Sequence, residues 1–237
     1  MGHPSFTRKQ ATIINVVAGG LLALGIVSAM MQQSEEGGLS GVFSNNSSAS
    51  ASIGQIDTDR IIDADSEPGN WLSYGRDYGE QRHSPLTQIN HKSIKDLELA
   101  FSVDMYTTRG LEASPIVVDG IMYMTSSWSV VYAVDATTGE EIWSYDPEVP
   151  GDWARKACCD VVNRGVAVYE GAVYLASLDG YLISLNAETG EEIWRVNTLI
   201  DRKRPYTITA APRVANGRVF IGNGGGELGV RGYVTAY

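Results

Sequence analysis

The sequence predicts an all-β fold, an incomplete β-propeller of about three blades, each a four-stranded antiparallel sheet with a tryptophan-docking repeat. Two recurrences predict it. Val131-Tyr-Ala-Val-Asp-Ala-Thr-Thr-Gly-Glu-Glu-Ile-Trp143 returns as Leu182-Ile-Ser-Leu-Asn-Ala-Glu-Thr-Gly-Glu-Glu-Ile-Trp194, with the tryptophans 51 residues apart, and a third copy opens at Gly232-Tyr-Val-Thr-Ala-Tyr237. Upstream of each copy stands another hairpin signal: Ile116-Val-Val-Asp-Gly-Ile-Met-Tyr-Met124, Val166-Ala-Val-Tyr-Glu-Gly-Ala-Val-Tyr-Leu175 and Arg213-Val-Ala-Asn-Gly-Arg-Val-Phe-Ile221. Each places a dipeptide ending in glycine between β-rich runs, the strongest short-range cue for a tight hairpin.

The two-residue alternation excludes a helical solenoid. The Thr-Gly pair makes the last turn of each unit, and the tryptophan four residues after the glycine is expected to pack on the neighbouring blade rather than to act in chemistry. Residues 67–237 hold roughly three units, whereas propellers close with about four to eight. An open ring would leave sheet edges and an apolar blade face bare. The expectation is therefore an N-terminal part of a longer propeller.

Ahead of the repeats, Arg8 and Lys9 precede an apolar run from Ala11 to Met31. Residues 1–30 read as an export signal, with Val27-Ser28-Ala29 as a small-residue cleavage pattern, or as a retained membrane anchor. Residues 31–66, rich in Ser, Gly, Asn, Asp and Glu, read as a disordered linker. The formal net charge of −10 argues against nucleic acid as a partner.

Cys158 and Cys159 are the only cysteines. In an exported protein they are expected to pair, with each other or with another molecule; adjacent free thiols are the alternative. Adjacent Cα atoms lie about 3.8 Å apart, so a mutual bond makes a strained eight-membered ring.

Asn70-Trp-Leu-Ser-Tyr-Gly-Arg-Asp-Tyr-Gly-Glu-Gln-Arg-His-Ser-Pro-Leu-Thr-Gln-Ile-Asn90 resembles the opening blade of the quinoprotein methanol and alcohol dehydrogenases. Cys158-Cys-Asp-Val-Val-Asn-Arg-Gly165, Tyr206-Thr-Ile-Thr209 and Gly229-Val-Arg-Gly-Tyr-Val-Thr-Ala-Tyr237 are most similar to the quinohaemoprotein alcohol dehydrogenases. The resemblance covers nearly the whole domain. It implies an eight-bladed periplasmic propeller that binds pyrroloquinoline quinone (PQQ) and calcium, oxidises a small primary alcohol to the aldehyde and passes electrons to a cytochrome. It also admits a rare-earth ion in place of calcium and a C-terminal domain carrying haem c.

The same resemblance assigns residues. The Cys158–Cys159 disulfide lies against one face of the quinone. Arg164, a forked donor, contacts the carboxylate or quinone oxygens. Glu112, in Leu-Glu-Ala-Ser-Pro, and Thr209, in Thr-Ile-Thr-Ala-Ala-Pro, are the other rim contacts, with Thr207 a close rival to Thr209. Gly224, Gly225 and Gly226 let the backbone approach the ring, and Glu227 is the metal ligand. The general-base Asp is expected beyond Tyr237, so residues 1–237 contain no catalytic residue and are expected to be inactive alone.

Two other features point elsewhere. Gly224-x-Gly226-x-x-Gly229 matches a dinucleotide fingerprint, but the alternating Val230 to Tyr237 that follows is strand-like where that motif needs a helix. A non-catalytic exported propeller that binds other proteins shares the repeats but has no reason to keep Glu112, Cys158, Cys159, Arg164, Thr209 and Glu227 together.

Overall fold

The computed structural model describes residues 53–237. Residues 1–30, expected to be an export signal or a membrane anchor, and most of the expected linker lie outside the described residues. Three antiparallel sheets follow one another along the chain. The first contains β1 (Ile116–Val118), β2 (Ile121–Thr125), β3 (Val131–Asp135) and β4 (Glu141–Tyr145). The second contains β5 (Ala167–Tyr169), β6 (Ala172–Ala176), β7 (Tyr181–Asn186) and β8 (Glu192–Asn197). The third contains β9 (Arg213–Ala215), β10 (Arg218–Gly222) and β11 (Val234–Ala236). Sheet order equals chain order in each, the meander of a propeller blade.

The turns follow from residue chemistry. Asp119-Gly120, Glu170-Gly171 and Asn216-Gly217 all have positive φ at both positions, the mirror-image turn that matches strand twist. At the β3–β4 turn, Asp135 accepts from the Thr137 and Thr138 amides and from the Thr137 hydroxyl. Asn186 accepts from the Glu188 and Thr189 amides in the equivalent turn of the second unit. In both, a β-bulge follows one residue pair inside the sheet, between Ala133 and Val134 and between Ser184 and Leu185.

The units are joined by aromatic docking. Trp143 donates its indole N–H to the Ala187 carbonyl at 3.1 Å, and its ring covers Gly190, where a Cβ would come within 2.6 Å. Gly190 also has φ +74, so both the close approach and the left-handed backbone require glycine. Phe101 stands in the same relation to Gly139, where a Cβ would come within 2.4 Å of its ring. Phe101 thus occupies the docking position of a unit preceding the first sheet, with phenylalanine where the repeat has tryptophan. Trp194, by contrast, is 39% exposed against 8% for Trp143.

The expected linker needs correction over its described part. Residues 58–62 form α1 (Thr58–Ile62), capped by Asp57, whose carboxylate accepts from the Arg60 amide at 2.7 Å. Ile56, Ile61 and Ala64 are buried in the main core beside Val168 and Tyr169. These scattered apolar residues are diluted by Ser and Asp when composition is averaged over 31–66. Arg60 pairs with Glu67 and with Asp119 of the β1–β2 turn, fastening α1 to the end of the sheets where those turns lie.

Candidate cofactor site

The opposite end of the sheets carries the predicted site residues. Each of the three inner strands is preceded by a short extended lead-in, and these lead-ins bond side by side. The Ser114 amide donates to the Arg164 carbonyl at 3.2 Å, and the Arg164 amide donates to the Thr209 carbonyl at 3.0 Å. Glu112, Arg164 and Thr209, far apart in sequence, are thereby drawn onto one rim.

Arg164 is the centre of that rim. Its Nη2 lies 2.8 Å from Glu112 Oε2, and its Nη1 donates to Thr209 Oγ1 at 2.7 Å. The fork of a guanidinium is what reaches both, since its donors are fixed in one plane. Between Thr209 and its rival Thr207, the geometry discriminates. Thr207 is buried and its carbonyl accepts from the Gly224 amide at 2.7 Å, whereas Thr209 faces Arg164.

Sequence reasoning missed the residue that holds Arg164. Asn163 is fully buried, and its Oδ1 accepts from Thr125 Oγ1 at 2.9 Å and from the Gly165 amide at 3.0 Å. Its Nδ2 donates to Ser129 Oγ at 3.2 Å and to the Ala176 carbonyl at 2.9 Å. Every hydrogen-bonding group of the side chain is used. Gly165, at φ +120, sits where a Cβ would come within 2.9 Å of the Ser114 carbonyl, so the lead-ins approach closely only with glycine there. An Asn beside an Arg in a loop gives no sequence signal of this role, because its partners come from three other segments.

Cys158 and Cys159 form a disulfide, exposed to solvent and in the same β4–β5 connection as Arg164. Trp153, earlier in that connection, is buried between Lys156, 3.7 Å from its ring centroid, and Arg202 at 5.0 Å. Trp153 packs with Val161, Tyr206 and Val230, so the disulfide loop shares a cluster with the segments carrying Thr209 and the glycines.

The glycine segment divides into two roles. Gly225, at φ +108, would drive a Cβ to 2.1 Å from the Pro205 carbonyl, a requirement of the loop itself. Gly226 opens a short 3-10 turn, Gly226–Leu228, and a Cβ there would meet nothing within 4 Å, so its face is clear. That single turn and β11 follow the glycines, where a dinucleotide motif would have a long helix. Glu227 is exposed on the turn. Among the described residues no group of three or more His, Cys, Asp or Glu forms a metal cluster.

The residues present fit a flat polyanionic quinone: a forked cation with hydroxyl and carboxylate neighbours, an exposed disulfide in the same connection and a glycine, Gly226, whose face is clear. For calcium they supply one carboxylate, short of the six to eight oxygens that ion takes.

The family model of the PQQ glucose/ethanol/alcohol dehydrogenase β-propeller domain matches residues 71–225, and this chain belongs to that family. It is 59% identical over 182 residues to quinohemoprotein alcohol dehydrogenase ADH-IIG of Pseudomonas putida, covering 77% of this chain and 25% of that protein. The solved quinohemoprotein alcohol dehydrogenase of Comamonas testosteroni superposes with a TM-score of 0.76 at 53% identity, over 80% of this chain and 28% of that one. A europium-containing methanol dehydrogenase superposes at 0.72 with 41% identity, over 76% of this chain and 31% of that one. The chain spans about a quarter of the length of the curated relatives it matches.

Proposed function

We propose that this chain is the N-terminal part of a periplasmic PQQ-dependent dehydrogenase that oxidises primary alcohols to aldehydes and passes electrons to a cytochrome. The observation that carries the reading is the Arg164 fork, shared between Glu112 and Thr209, in the same β4–β5 connection as the exposed Cys158–Cys159 disulfide. When bound, the quinone supplies the redox chemistry by accepting hydride from the alcohol.

The chain's own residues bind and orient. Arg164 offers charge-assisted hydrogen bonds to the rim oxygens of an anionic ring and is held in register by Glu112 and Thr209. The disulfide offers an exposed, apolar eight-membered ring to one face of the quinone, and Gly226 leaves the backbone side uncovered. Glu227 offers one hard oxygen to calcium; the likeness to a europium-containing enzyme supports a rare-earth ion as the substitute. The remaining metal ligands and the general-base Asp belong to other blades. A haem c domain is supported by the names of the quinohemoprotein relatives.

The test is reconstitution of the full-length protein with PQQ and Ca²⁺, following quinone uptake by absorbance and ethanol-dependent dye reduction. Uptake with dye reduction is the expected result. No uptake and no reduction would leave a non-catalytic exported propeller.

A further inference from the structure

We infer that Arg109 is a positioning residue that fixes the Cys158–Cys159 loop against the loop carrying Glu112. Cys158, Cys159 and Asp160 make no main-chain hydrogen bonds among the described residues, so the backbone alone does not hold the disulfide in place. What holds it is Asp160, at φ +70, whose carboxylate caps the Val161 amide at 2.8 Å and also pairs with the Arg109 guanidinium. Arg109 lies three residues before Glu112 in the lead-in to β1.

A second brace runs beneath that ion pair. The Arg109 guanidinium lies 5.8 Å from the Trp128 ring centroid, and the Trp128 amide donates to the Val161 carbonyl at 2.8 Å. Thr107, which accepts from the Arg109 amide, shares a 2.6 Å hydrogen bond with Ser127. Trp128 and Ser129 both have positive φ, a costly conformation for such residues that persists only where neighbours determine it. Arg109 therefore ties together the three loops that converge on the disulfide: its own, the β2–β3 loop and the β4–β5 connection. The ion pair is partly exposed and would count for little as a stability element by itself. Its effect is local, on the mobility of an otherwise unfastened turn.

The importance of this for quinone binding rests on the function proposed above, but the reactivity of the disulfide does not, and the test uses the latter. In the full-length protein without quinone, the rate of reduction of Cys158–Cys159 by a water-soluble phosphine is followed by alkylation and mass spectrometry. Arg109→Gln and Asp160→Asn are each expected to accelerate reduction about fivefold or more, and the double variant no further than either alone. Arg109→Lys should restore much of the protection, and Arg195→Gln, which breaks the ion pair with Glu192 on β8, should change nothing. If Arg109→Gln does not fold, Arg109→Met, which keeps a long side chain over Trp128 but cannot pair with Asp160, carries the test and should accelerate reduction to the same extent. Single variants within twofold of the parent, additive effects in the double variant, or two thiols that alkylate without reductant would each overturn the inference.

Discussion

At the scale of single residues, the site rests on two neighbours of unequal legibility. Arg164 was readable because its motif resembles a known one; Asn163 was not, because a saturated side chain looks in sequence like any loop asparagine. Asn163→Ala would leave the Gly165 amide without its acceptor and the Thr125 hydroxyl with only the more distant Asn163 carbonyl, and would take a donor from Ser129 and from the Ala176 carbonyl, at about 1–3 kcal/mol for each buried group that water does not reach. A loss of at least about 2 kcal/mol in urea unfolding is expected. Arg164→Lys keeps the charge but cannot span Glu112 and Thr209 together. It should leave the urea midpoint nearly unchanged and weaken quinone binding by roughly 10-fold or more, read by equilibrium titration of the full-length protein.

At the scale of elements, the turns and the docking aromatics decide stability. Trp143→Ala removes a buried ring and its hydrogen bond to Ala187, and about 3–5 kcal/mol is the expected cost in denaturant unfolding. Trp194→Ala, at the equivalent but half-open position, should cost well under half of that. The β3–β4 turn carries a pH dependence of its own. The hydroxyl and amide of Thr137 and the amide of Thr138 hold the Asp135 carboxyl down to about 2. A folded-state pKa below the unfolded value means stability that is complete above the ordinary carboxylate range and lost as pH falls toward the lowered value. Asn186 builds the same turn without a titratable group, so Asp135→Asn should keep the fold and flatten the fall in urea midpoint between about pH 4 and pH 2. These strands and turns were legible because alternation and Gly-containing dipeptides are local signals. Helix α1 and the docking of Phe101 were not: the first hides in polar composition, and the second replaces the repeat's tryptophan and follows no recognisable Thr-Gly turn.

At the scale of the whole molecule, three blades place their turns and α1 at one end and their chemistry at the other. The repeat spacing made the blade architecture readable. It pointed to the docking of Trp143 on the next unit but not to how the lead-ins meet, because that depends on main-chain bonds between residues about 45 to 50 positions apart. Those bonds, from Ser114 to Arg164 and from Arg164 to Thr209, set the spacing of the rim with peptide groups rather than side chains. The spacing of the three lead-ins is therefore set by the backbone and not by the chemistry of their side chains. Side chains at 112, 164 and 209 can be exchanged with the bonds between the lead-ins retained, so what the rim recognises and how it is built vary separately.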